Sequence, residues 1–62
     1  MTAQQILSSK SAIDRYSTLG MAQNVAARAH RPSSVILGDD GRYWVTTRGK
    51  AEVLHRSGFQ YA

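Results

Sequence analysis

Val35-Ile36-Leu37-Gly38-Asp39-Asp40-Gly41-Arg42-Tyr43-Trp44-Val45-Thr46 is the stretch on which the fold turns. Val35-Ile36-Leu37 is a short, near-continuous apolar run of strand type. Gly38-Asp39-Asp40-Gly41 follows as a turn, because Asp-Gly supplies the positive backbone φ that a tight hairpin needs. Arg42-Tyr43-Trp44-Val45-Thr46 is then the return strand, rich in β-formers. Alternation puts Tyr43 and Val45 on one side and Trp44 and Thr46 on the other.

Downstream, Thr46 or Thr47 is expected to cap a helix of about ten residues. Gly58 suits the left-handed position just past that helix, with Leu54 before it and Phe59 after it as the two side chains that meet at a Schellman stop. Arg56 in the last turn complements the helix dipole. Gln60-Tyr61 either returns along the hairpin or frays.

Upstream the reading is helical. Thr2 and Gln5 fit a capping box, and Ser11 with Asp14 has a similar form. Ala3, Ile6, Leu7, Lys10 and Ile13 share a helical face on which Lys10 is the flaw. Leu19, Ala22, Val25, Ala26 and Ala29 recur at spacings of three and four, and Pro32 stops the pattern. Gly20 costs roughly 1 kcal/mol inside a helix, and Ser17-Thr18 offers a cap. Both a helical hairpin and one bent helix of about 28 residues, on the order of 40 Å long, satisfy this pattern.

The chain has 62 residues, enough for a single domain over 1–62, helical over 1–32 and hairpin plus helix over 33–62. A chain so short buries only roughly 60% of its unfolded surface, so its stability as a monomer is expected to be marginal. It has no Cys, which excludes disulfides and thiolate metal sites. No apolar run approaches a membrane span. Met1-Thr2-Ala3-Gln4-Gln5 has neither the basic nor the apolar region of a signal peptide, so the expected location is the cytoplasm.

The formal charge is +4 and the pI about 10.1. Nucleic acid, anionic lipid or an acidic protein surface could use that balance. Catalytic patterns are missing. His30 and His55 stand alone at no metal-ligand spacing, and no nucleophile elbow or P-loop is present. Asp39-Asp40 reads as a solvated turn. No catalytic residue, cofactor or metal is expected, and no small-molecule substrate. The candidate contacts to a partner or nucleic acid are Arg28, Arg31, Arg42, Trp44, Arg48 and Lys50. Arg28, His30 and Arg31 sit at a helix end, where they either bind phosphate or complement the dipole. Arg42, Arg48 and Lys50 flank the hairpin around Trp44, whose size makes it core material in so small a chain.

Residues 40–54, Asp-Gly-Arg-Tyr-Trp-Val-Thr-Thr-Arg-Gly-Lys-Ala-Glu-Val-Leu, resemble the wing and following helix of winged-helix transcription regulators. The resemblance implies that Arg42 is a wing-tip residue approaching a phosphate or the minor groove. A complete winged helix carries three helices before its wing, and no helix-turn-helix is legible before Val35. Separately, Leu37–Val45 together with Gly58-Phe59 is similar to short uncharacterised bacterial and phage-borne proteins, which implies a small accessory protein.

The expected fold is α+β: an N-terminal helix or helical hairpin, a two-stranded antiparallel β-hairpin and a short C-terminal helix. A homodimer is expected, because a lone hairpin is too small to be stable and the Ala22, Ala26, Ala29 stripe would let two helices approach closely. The first functional expectation is a non-enzymatic protein-interaction or regulatory module. The alternative is a nucleic-acid-binding regulator with a wing-like hairpin. An exposed Trp44 with scattered Arg would favour the first, and Arg28, Arg31, Arg42, Arg48 and Lys50 on one face the second.

Overall fold

The hairpin forms at the expected place and becomes the centre of a larger sheet. The computed structural model describes residues 2–9 and 11–62. In chain order the elements are α1 (Ala3–Ser8), β1 (Asp14–Tyr16), α2 (Leu19–Arg28), β2 (Ser33–Leu37), β3 (Tyr43–Thr47), α3 (Arg48–Arg56) and β4 (Gln60–Tyr61). The sheet is antiparallel throughout, in the order β1-β3-β2-β4. Val35 lies opposite Val45 and Ile36 opposite Trp44, while β1 adds Asp14 opposite Val45 and Tyr16 opposite Tyr43.

Three local devices hold the hairpin turn. Gly38 N–H donates to the Arg42 carbonyl at 2.8 Å, and Gly41 adopts φ 80°. Asp40 Oδ1 accepts from the Arg42 backbone N–H at 3.0 Å and from the Trp44 indole Nε1–H at 3.1 Å. A Cβ on Gly38 would overlap Cε2 and Nε1 of the Trp44 ring. That ring is buried and cannot step aside. Gly38→Ala should therefore cost about 1–3 kcal/mol through overpacking. A urea titration followed by Trp44 fluorescence reads the loss; an unchanged midpoint would mean the indole has room to move.

Alternation along β3 feeds two packed layers. On the Trp44 side, α1 and α3 close over Ile6, Ile13, Ile36, Trp44, Ala51 and Leu54, with Phe59 stacked 5.3 Å from the Trp44 ring. Thr46 is buried on that side and donates to the Ala12 carbonyl at 2.8 Å. On the other side α2 packs across β1, β2 and β3, burying Ala22 and Val45.

Helix ends follow their sequence signals. Both capping-box bonds form, Gln5 N–H to Thr2 Oγ1 at 3.2 Å and Thr2 N–H to Gln5 Oε1 at 2.9 Å. Thr18 caps α2 by accepting from Met21 N–H at 3.3 Å. The α3 stop is a full Schellman pair: Phe59 N–H reaches the Leu54 carbonyl and Gly58 N–H the His55 carbonyl, each at 3.1 Å.

Two expectations about the first half change. Its helical pattern is interrupted by β1, so α1 and α2 are neither one rod nor a packed hairpin; α1 rests on α3 instead. Asp14 begins a strand and belongs to no capping box. Lys10, assigned by spacing to the first helical face, lies outside the described residues, as does Met1. One ground for a homodimer is met within one chain, because β1 and β4 extend the hairpin. Of the small-residue stripe, Ala22 faces the chain's own sheet, Ala26 is half-buried and Ala29 is exposed.

Candidate functional site

Chain direction decides where the cations go. The helix α2 runs toward the Ser33–Thr47 end of the sheet, and α3 starts from that end on the opposite face. The C-terminus of one helix and the N-terminus of the other therefore share one end of the molecule. Arg28 closes the last turn of α2, and Arg31 follows in the connection to β2. Arg48 and Lys50 stand in the first turn of α3. The Arg48 backbone N–H donates to the Pro32 carbonyl at 3.0 Å, which ties the two segments together. Between them lies an open cleft of about 540 Å³ lined by Arg31, Pro32, Thr47, Arg48, Gly49 and Glu52.

The electrostatics of this end are one-sided. None of Arg28, Arg31, Arg48 and Lys50 makes an ion pair among the described residues. Glu52, the acid on the cleft, is engaged by Arg56 one turn along the helix. No acidic residue occupies the first turn of α3, and Thr47 caps it by position without a side-chain bond. A helix N-terminus carries partial positive charge, so Arg48 and Lys50 oppose the dipole where an acid would complement it. Arg28 sits at a helix C-terminus, where a cation is favourable. His30 is exposed beside it.

The opposite end has another character. Arg42 lies in the hairpin turn with Asp39 and Asp40, about 20 Å from Arg48 at roughly 3.3 Å per strand residue. Arg15 stands 3.9 Å from Asp40 and 5.0 Å from the Trp44 ring centroid, so two acids and two cations balance there. Partial desolvation pushes the Asp40 carboxyl up, but the N–H donors of Arg42 and Trp44 and the Arg42 charge outweigh it and hold it below its ordinary value.

Of the six residues assigned to contact from sequence, the fold gathers Arg28, Arg31, Arg48 and Lys50 and leaves two apart. Arg42 belongs to the charge-balanced end. Trp44 is 3% exposed, because it supplies the central ring of the core, and offers no surface for a partner. Thr47, one of the two residues read as a helix cap, lines the cleft and makes no side-chain cap bond. It went unassigned as a contact because a Thr before a helix reads first as a cap. A complete winged helix carries three helices before its wing, and two helices precede this hairpin among the described residues.

Among the described residues no three His, Asp or Glu side chains converge as metal ligands would. No described helix is long and apolar enough to cross a membrane. Comparison with known protein families, curated proteins and solved structures finds no match to this chain.

Proposed function

We propose that this protein is a small regulatory binding module that holds the phosphate backbone of nucleic acid with its basic end. One observation carries the reading: four cations, from the end of α2, the connection after it and the start of α3, gather at one end, unpaired among the described residues. Two of them oppose a helix dipole, a placement that costs stability in the free protein and that phosphate would relieve. Backbone contacts of this kind need Arg and Lys on a common surface and no catalytic constellation. An exposed Trp44 would have favoured a protein-interaction surface, and Trp44 is buried inside the chain.

Fluorescence anisotropy on a labelled DNA duplex of about 20 base pairs, near 50 mM salt, tests the proposal. An R31A/R48A double variant should bind about tenfold more weakly or worse, while R42A at the charge-balanced end should match the unchanged protein within about twofold. Equal losses in both variants, or no binding by the unchanged protein, would remove the basic end as the site.

A further inference from the structure

The four cations of the basic end and the aromatic rings are segregated along the strands, and this selects the form of nucleic acid. The five aromatic residues are Tyr16, Tyr43, Trp44, Phe59 and Tyr61. Tyr16 lies opposite Tyr43, Tyr61 opposite Ile36 and hence level with Trp44, and Phe59 stacks on Trp44. All five thus stand on the half of the sheet nearer the Gly38–Arg42 turn. Arg48 begins about 13 Å further along, four residues beyond Trp44 at roughly 3.3 Å each. None of the five reaches the basic end, where the one aromatic ring among the described residues is the small imidazole of His30.

From this segregation, and resting on the reading proposed above, we infer that the basic end takes double-stranded nucleic acid by its backbone and does not select its bases. Single strands are held by stacking, worth about 1–3 kcal/mol per base, on aromatic platforms beside a basic groove. Without those platforms a single strand offers charge alone, and at lower density than a duplex. Base reading in a duplex needs a helix face or β-ribbon inside the major groove, about 12 Å wide, with Asn, Gln or Arg presented to base edges. Here the cations sit on two helix ends, on opposite faces of a sheet, in a body of 26 × 25 × 19 Å. Residues 28–32 and 47–51 include no Asn or Gln, and their Arg side chains are divided between two separate segments instead of lining one helix face. The end spans the rims of a groove and leaves its floor unread.

Anisotropy titrations with two duplexes of unrelated sequence and with an oligothymidine single strand of the same length decide the matter. The duplexes should agree within about twofold, and the single strand should bind about tenfold more weakly. Tighter binding of oligothymidine, or a more than tenfold preference for one duplex, would overturn the inference and leave backbone binding itself standing. Absence of binding to all three would overturn both.

Discussion

A Val45→Pro variant should show no cooperative unfolding transition. In the sheet β3 runs between β1 and β2, and Val45 has Asp14 on one side and Val35 on the other. Whichever side its N–H points to, a strand is there to accept from it. Proline removes that donor and places a ring where the ladder closes, a combination found at edges and not inside sheets. Val45 is also 5% exposed under α2, so the change disturbs packing as well as pairing. The acceptor left unsatisfied in the ladder costs about 1–3 kcal/mol by itself, before the ring clash and the lost packing are added. The whole stability expected of 62 residues is roughly 3–9 kcal/mol. Urea titration followed by far-UV circular dichroism reads the result. A transition with an unchanged midpoint would put Val45 outside the ladder.

Features written in neighbouring residues were legible in the sequence. The Asp40-Gly41 turn, the Thr2–Gln5 capping box and the Leu54–Gly58–Phe59 stop depend on groups within five positions of one another, and each forms as read. The strand β1 was not legible. Asp14-Arg15-Tyr16 has two charges in three residues and no apolar alternation. It becomes a strand because β3 offers a free edge and the Arg15 guanidinium settles over the Trp44 ring. A two-stranded hairpin is too small to stand alone, and the strands that complete it lie at residues 14–16 and 60–61 of the same chain, where no apolar alternation marks them. The site shows the same limit. Arg42 and Arg48 are near in sequence but bracket a strand, and a strand converts sequence proximity into distance. Arg31 and Arg48 are remote in sequence, and the Ser33–Thr47 pairing brings them to one cleft.

Salt should weaken duplex binding with a slope of log affinity against log salt near −3.6, from about −0.9 for each of four neutralised phosphates. Between about 50 and 200 mM salt the affinity should then fall roughly 150-fold. In an R31A/R48A variant two contacts are gone, and the slope should flatten to about −1.8. The same surface predicts an opposite effect on folding. Arg48 stands in the first turn of α3, where no acid sits, and Glu52 four residues on is engaged by Arg56. Replacing it by Ala removes a cation from the positive end of a dipole and places the best helix former at that position. Arg48→Ala should therefore raise stability by about 0.3–1 kcal/mol, a few degrees in Tm for a domain this small, while lowering affinity for the duplex. Thermal melts and salt titrations on one preparation test both halves. A slope that ignores the substitutions would detach these cations from phosphate. An Arg48→Ala protein that binds weakly because it melts earlier would show Arg48 to be part of the scaffold, whereas weaker binding by a more stable protein is the signature of a charge kept for its ligand.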